Sequence, residues 1–180
     1  MRDTHGMKEE KPLMSKHSES RGDLAARIQR LEDIEAVKWL IVQYARGADR
    51  HNDVDIMLPL FADDAIWDAG ERFGRYEGKE AIRQFLLGSC SFIGWTLHYM
   101  VSPAVKIADD GKTAQAFWYL WETANMPNAA THEPEAMWIG GTYDTTLVKE
   151  DGEWKFKYVN LNIRLLSPYT EGWAKRQIPE

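Results

Sequence analysis

The sequence predicts an α+β fold in which N-terminal helices pack on the concave face of a curved antiparallel sheet. Two observations carry this expectation. Early in the chain Ile28, Leu31, Ile34, Val37, Ile41, Tyr44 and Ala48 recur at spacings of three and four, the period of a helix with one buried side. From Trp95 onward the pattern becomes long strand-like runs, punctuated by Asp109-Asp110-Gly111 and Glu150-Asp151-Gly152-Glu153, residue types suited to tight turns. Helices grouped ahead of such a meander bury their apolar stripe by lying across it. At 180 residues the chain is of single-domain size and long enough to bury a core.

Element by element, residues 1–22 are polar, mix basic with acidic side chains and contain Pro12, and read as a disordered tail ahead of one domain over residues 23–180. They lack the apolar segment of a secretory signal, so a cytoplasmic protein is expected. The long helix starts at Asp23 as N-cap and ends near Asp49 to Asn52. A shorter helix runs from Asp53 to Phe61, limited by Pro59. Strands at Ala65 to Asp68 and Arg72 to Tyr76 follow, then a helix from Gly78 to Leu87 with Ala81, Ile82, Phe85 and Leu86 on one side. The strand Trp95 to Ile107 turns back as Lys112 to Met126. After a loop at Pro127 to Pro134, Trp138 to Val148 turns back as Trp154 to Leu165. On this last strand the apolar parity runs Trp154, Phe156, Tyr158 and then Val159, Leu161, Ile163. An extra residue in a β-bulge produces such a switch, and so does a strand buried on both faces. Gly140-Gly141 marks a bend or a close approach of backbones.

Composition excludes several functions. A net charge of -6 without a basic run argues against a nucleic-acid partner, and no apolar stretch has the length of a membrane span. The single cysteine, Cys90, rules out an intrachain disulfide framework and suits a reducing compartment. Eight Trp, seven Tyr and six Phe exceed what a core of this size requires, and a cavity wall is one place to put them.

Glu122 interrupts the apolar row Ala114, Ala116, Trp118, Leu120, Ala124. A carboxylate there needs a partner or a task, unless the strand end is already wet. His98, in the row Thr96, His98, Met100, Ser102, reads either as a proton carrier near neutral pH or as a core histidine held by a carbonyl. Tyr44 belongs to the helical stripe, and a buried phenol wants a hydrogen-bond partner. Asp49, five residues on, either orients a histidine or pairs with Arg46, Arg50 or His51. Arg164 with Asn160 and Asn162 forms a polar row that faces either a substrate or the outside. Thr131-His132-Glu133-Pro134-Glu135 lacks the helical histidine spacing of metalloproteases, so no metal is expected there, and neither a phosphate loop nor a nucleophile elbow is present.

Together these residues resemble the SnoaL-like branch of the nuclear transport factor 2-like superfamily, from about Asp23 to the C-terminus. The resemblance rests on Leu31-Glu32-Asp33-Ile34-Glu35-Ala36-Val37, Tyr44 with Asp49, and Leu97-His98-Tyr99-Met100 ahead of Ser102-Pro103. It extends through Trp118-Tyr119-Leu120-Trp121-Glu122 and Gly140-Gly141-Thr142-Tyr143 to Asp151-Gly152-Glu153-Trp154. It implies a cone-shaped, barrel-like, cystatin-like fold whose sheet and helices enclose a pocket. Within the branch the chain is similar to bile-acid dehydratases and, more distantly, to scytalone dehydratase and hexachlorocyclohexane dehydrochlorinase. Those enzymes use a His with an Asp near the end of the first helix, and the bile-acid enzymes add a Tyr and an acid. Tyr44, Asp49, His98 and Glu122 fall at these positions, and Arg164 resembles a C-terminal arginine, one residue out of step.

The resemblance thus implies a lyase that needs neither metal nor organic cofactor. His98 removes an activated proton, Asp49 fixes the imidazole, Tyr44 donates to the developing oxyanion, and His98 or Glu122 assists the leaving group. Trp67, Phe73, Trp95, Trp118, Trp121 and Trp138 are candidates to line a mostly apolar pocket for a flat hydrophobic substrate, a steroid or a lignin-derived biaryl. Release of formaldehyde, an aldol cyclisation, and a non-catalytic role like that of dioxygenase small subunits are the alternatives. The expected partners are the hydrophobic substrate and further copies of the chain, as a dimer or trimer through the outer sheet face.

Overall fold

The computed structural model describes residues 15–89 and 91–175. Helix α1 (Ser15–Ala48) begins ahead of the expected cap at Asp23, so residues 15–22 are helical and residues 1–14 of the expected tail lie outside the described residues. Lys16, Glu19 and Arg21 are unbranched helix formers, which suits that extension. Val37, Leu40, Ile41, Tyr44 and Ala48 are buried, as the spacing predicts, but Ile28 and Leu31 are not: Leu31 is 63% exposed. Periodicity marks a face without saying how far the surface beneath it reaches. Arg30 marks that limit, donating from Nη1 to the Ile107 carbonyl at 3.2 Å, and residues 23–32 all remain exposed.

Short helix α2 (Val54–Met57) is capped by Asp53, whose side chain accepts from the Asp55 N–H. A 3₁₀ turn, Leu58–Leu60, contains Pro59 and ends the helical stretch. Gly47 lets α2 approach α1, because a Cβ there would sit 2.3 Å from Met57 Cγ. Strand β1 (Phe61–Asp68) leads to a single helical turn, α3 (Gly70–Phe73), and strand β2 (Arg75–Glu77). The strand expected from Arg72 is therefore shorter. The Asp68 carboxylate accepts from the Gly70 N–H at 3.0 Å and starts a turn that absorbs Arg72 and Phe73. Helix α4 (Lys79–Ser89) buries Ile82 and Leu86.

Strands β3 (Trp95–Ile107), β4 (Thr113–Pro127), β5 (Pro134–Glu150) and β6 (Glu153–Pro168) form the predicted meander. The sheet has the order β2-β1-β6-β5-β4-β3 and stays open, with β2 and β3 as edges. One pair departs from the antiparallel expectation, since β1 and β6 are parallel. At the turn after β5, Asp151 and Gly152 both have positive φ (50° and 87°), the backbone of a tight hairpin.

Three irregularities position the inner face. On β6, Tyr158 pairs with Thr146 and Phe156 with Leu147, leaving Lys157 as the extra residue. This is the bulge that the parity switch suggested, and the buried row passes from Trp154 and Phe156 to Val159 and Leu161. A second extra residue, Arg164, lies between Leu165, opposite Gly140, and Ile163, opposite Gly141. Gly141 is required there, since a Cβ would sit 2.3 Å from the Asn162 carbonyl oxygen. The third lies on β3. Val101 pairs with Tyr119 and Ala104 with Phe117, so Ser102 and Pro103 together oppose Trp118, with Ser102 at φ 53°. Proline has no N–H for a ladder and is tolerated at such a bulge on an edge strand.

Asp33 ties α1 to the β5–β6 hairpin. Its buried carboxylate accepts from Lys149 Nζ at 2.6 Å and Trp154 Nε1 at 3.0 Å. Burial pushes this carboxyl up, but the two hydrogen bonds and the Lys149 charge outweigh burial and hold it below its ordinary value. Among the described residues no helix is long and apolar enough to cross a membrane.

Candidate active site

The bulge at Ser102-Pro103 creates the site. It shifts the β3–β4 register by one residue, so that His98 lies opposite Glu122 and both face α1. Glu122 keeps the inward parity of Ala116, Trp118 and Leu120, while His98 shares its face with Thr96 and Met100 and lies opposite in parity to the exposed Leu97, Tyr99 and Val101.

Asp49 sits immediately beyond the end of α1 and turns its carboxylate onto β3. One oxygen, Oδ1, accepts from the His98 backbone N–H at 2.9 Å and meets the His98 ring at Nδ1 at 2.7 Å. Of the other partners expected for Asp49, Arg46 and Arg50 are engaged with Gln43 and Asp53. The other ring nitrogen, Nε2, lies 3.3 Å from Glu122 Oε2. An imidazole thus stands between two carboxyl groups, its side chain 11% exposed and that of Glu122 7% exposed.

Both groups are electrostatically perturbed. Burial would lower His98, but the hydrogen bond to Asp49 and the charges of Glu122 and Asp49 outweigh it and hold the imidazole above its ordinary value. Burial raises Glu122, the His98 charge draws it down, the Asp49 charge pushes it up, and the carboxyl stays above its ordinary value. With Nδ1–H donated to Asp49, Nε2 is the ring atom that faces the Glu122 carboxyl. A group that can take a proton and one that can give it therefore stand side by side.

His98 and Glu122 face a cavity of about 70 Å³ that opens to solvent. Tyr44, Ala48 and Asn52 from the end of α1 form one wall. Trp67, Phe73, Phe85 and Leu86 form the aromatic side, Phe92, Ile93 and Thr96 lead into β3, and Ile139, Tyr143, Leu161 and Ile163 complete the sheet side. Trp67 and Phe85 lie 4.3 Å apart between ring centroids, and Phe85 stacks on Tyr76 at 4.4 Å, so this side offers flat aromatic surface. Asn52 donates to Ser89 Oγ at 2.7 Å, and both residues line the cavity.

Of the aromatic residues expected on the wall, only Trp67 and Phe73 line it. Trp118 has inward parity but is fully buried behind Tyr143, stacked at 4.9 Å and 17°. Trp121 and Trp138 have the opposite parity, and on the outer face they meet Trp173 and, for Trp138, Tyr169. The surplus indoles there hold the C-terminal segment against the sheet. Trp95 points outward with Leu97 and is 48% exposed. Arg164 is the extra residue of a bulge, lies exposed, and does not reach the cavity. His132 lies in an exposed loop.

Tyr143, Phe85, Asn52 and Ser89 were missed by the sequence reading. Tyr143 carried a usable signal: it is a phenol on the same strand face as Ile139, Thr145 and Leu147, directly opposite Trp118.

A family model described as a SnoaL-like domain matches residues 29–160. No curated protein matches the chain by sequence. Among solved structures, a provisionally named scytalone dehydratase from Novosphingobium aromaticivorans is 22% identical, with a TM-score of 0.70 over 79% of this chain and 91% of its own. A type 2 hexachlorocyclohexane dehydrochlorinase, LinA, is 20% identical, with a TM-score of 0.69 over 79% and 92%. A provisionally named aromatic ring hydroxylase from Novosphingobium aromaticivorans is 24% identical, with a TM-score of 0.68 over 78% and 96%.

Proposed function

The chain belongs to the SnoaL-like domain family of the nuclear transport factor 2-like superfamily, and from that premise we propose that it is a cofactor-independent lyase catalysing an acid/base elimination. The observation that carries this reading is the His98 ring held between Asp49 at 2.7 Å and Glu122 at 3.3 Å inside an apolar cavity. Two structural neighbours whose names denote eliminations, a dehydrochlorinase and a scytalone dehydratase, support it.

In this mechanism His98 Nε2 takes a proton made acidic by an adjacent carbonyl or phenol. The imidazolium that forms is stabilised by Asp49 through Nδ1–H. Tyr44 donates its O–H to the enolate or phenolate oxygen. Glu122, whose carboxyl burial holds above its ordinary value, acts as the acid and gives its proton to the departing hydroxide, and water leaves. The proton on Nε2 then passes across the 3.3 Å gap to the Glu122 carboxylate, which restores the resting pair. Every proton is accounted for, and neither metal nor redox partner enters the cycle. The base and the acid lie side by side, which favours removal of proton and leaving group from one face of the substrate.

The substrate in this reading is a flat, largely apolar molecule, aromatic or polycyclic, carrying the hydroxyl and the activating carbonyl or phenol. The Trp67 and Phe85 surface stacks its rings. Self-association through the outer face of β3 and β4 belongs to the same reading, because Leu97, Tyr99, Val101 and Tyr119 form an exposed apolar group there.

Purified protein without added metal or nucleotide, incubated with hydroxylated biaryls and with steroid acyl thioesters, tests the proposal. Product masses should show loss of water. His98→Ala should abolish turnover with the fold intact, and Asp49→Asn should lower it by roughly 10³–10⁴ by loss of the required tautomer. Full activity of His98→Ala would refute the mechanism, and loss of formaldehyde in place of water would replace the leaving group.

A further inference from the structure

The cavity wall contains an amide that the proposed reaction leaves idle. Asn52 stands just past the end of α1 at φ 50°, and its backbone N–H closes the helix on the Ala48 carbonyl at 3.2 Å. Asparagine tolerates this left-handed backbone, but glycine would do the same with no side chain at all. The side chain has a place of its own in the wall. It donates from Nδ2 to Ser89 Oγ at 2.7 Å, and the Ser89 hydroxyl, buried at the end of α4, donates in turn to the Leu86 carbonyl at 2.9 Å. A hydroxyl has one proton to give, so Ser89 accepts from Asn52, and the atom facing it is the amide nitrogen.

What remains of the amide is one N–H and the whole carbonyl. Outside the His98 pair and the phenols, the other polar groups of the wall have spent their protons. Trp67 Nε1 donates to Tyr44 at 2.9 Å, Thr96 Oγ1 to the Ala48 carbonyl at 3.3 Å, and Ser89 to Leu86. Among these described residues, Asn52 alone still offers a donor together with an unoccupied acceptor. No side-chain polar atom of the described residues is both buried and unpaired, so the half-buried Asn52 leaves its carbonyl oxygen within reach of a ligand.

We infer that Asn52 is a specificity-determining residue whose amide, oriented by Ser89, receives a hydroxyl of the substrate other than the one that leaves. The inference rests on the proposed reaction and deepens it, because that reaction already assigns Glu122 to the leaving hydroxyl and Tyr44 to the activating oxygen. A hydroxyl donates to the amide carbonyl and accepts from its N–H, and so matches both open atoms. A carboxylate could only accept, would leave the carbonyl unpaired and would bring a charge into an apolar cavity. The substrate class narrows to a flat hydrophobic ring system that carries a further hydroxyl, and Ser89 becomes a positioning residue.

Isothermal titration calorimetry of the full-length protein tests this with 2-naphthol and with the dihydroxynaphthalenes that keep its hydroxyl and move a second one around the rings. At least one dihydroxy probe should bind wild type about three- to tenfold tighter than 2-naphthol, the size of one hydrogen bond. Asn52→Gly, which keeps the left-handed backbone free of strain, should abolish this gain and leave the affinity for 2-naphthol as it was. Ser89→Ala should shrink the gain with 2-naphthol again unaffected. Placed on Asn52→Gly it should change nothing more, because Ser89 acts through the amide.

Urea unfolding of each variant separates loss of fold from loss of recognition. A gain that survives Asn52→Gly, or no gain with any isomer, would overturn the inference and leave the proposed elimination standing. An equal loss for both kinds of probe in Asn52→Gly would reduce the residue to a helix end and would also overturn it. A gain untouched by Ser89→Ala would remove the positioning role of Ser89. Failure of wild type to bind either kind of probe would remove the flat-ring substrate class and the inference together.

Discussion

Replacing Asp33 with alanine probes how the helix that supplies Tyr44 and Asp49 is anchored. The wild-type carboxylate accepts from Lys149 and Trp154, and hydrogen bonds to a charged group are each worth about 1.5–3 kcal/mol. The two losses differ. The Lys149 side chain is 21% exposed and can turn its ammonium into water, so its share belongs at the low end. Trp154 is buried, and its N–H is left without an acceptor. A net loss of about 3 kcal/mol results, which for a chain of this size lowers the midpoint of thermal unfolding by about 6–12 °C. Urea and thermal unfolding followed by tryptophan fluorescence measure it. The pH dependence gives a second check. The folded Asp33 carboxyl lies below its unfolded value, so its contribution is present above the unfolded value and is lost as pH falls through the folded one. The gap between wild type and Asp33→Ala should therefore close in acid. A loss below about 1 kcal/mol at neutral pH, or a gap that widens in acid, would refute the reasoning.

Two further outcomes are expected. For Glu122, and for His98, the folded value lies above the ordinary one. Each therefore contributes stability that is fully present below the unfolded value and lost as pH rises through the folded value. Glu122→Gln should consequently gain on wild type as pH rises, read by urea unfolding from mildly acidic to mildly alkaline pH, and a difference that does not change with pH would contradict the burial argument. Tyr99→Asp places a charge in the exposed apolar group of β3. Light scattering should then find a smaller particle than wild type, and unchanged mass would exclude that face as the contact between copies.

Much of the meander was legible because its signals are local. Asp109-Asp110-Gly111 and Asp151-Gly152 dictate turns through their own backbone preferences, and the β6 bulge wrote itself into the parity of Phe156, Tyr158 and Val159. The parallel pairing of β1 with β6 had no such trace, because it joins segments roughly ninety residues apart that carry no shared pattern. Asp49, His98 and Glu122 each carried a structural alternative in their own local pattern, and the family resemblance alone grouped them. What brings them together is the bulge at Ser102-Pro103, whose proline was visible and whose effect on register was not drawn. The tryptophans misled for a related reason. Indole is rich in apolar surface whichever side of a strand it occupies, so abundance alone could not divide Trp67 in the cavity from Trp121 and Trp138 outside it. Tyr143 escaped notice because its place in the cavity wall, edge-on to Tyr44, comes from packing across the sheet-to-helix interface.

The backbone bond from His98 to Asp49 has a consequence for solubility. β3 is an edge strand, and an edge with free N–H groups invites pairing with another chain. At His98 the Asp49 carboxylate occupies that N–H, on the strand that also exposes Leu97, Tyr99 and Val101. One side chain therefore shields a sticky margin of the sheet as well as steering the imidazole. Variants at Asp49 will be prone to aggregate as well as impaired, and their soluble yield has to be measured before a low rate is attributed to chemistry.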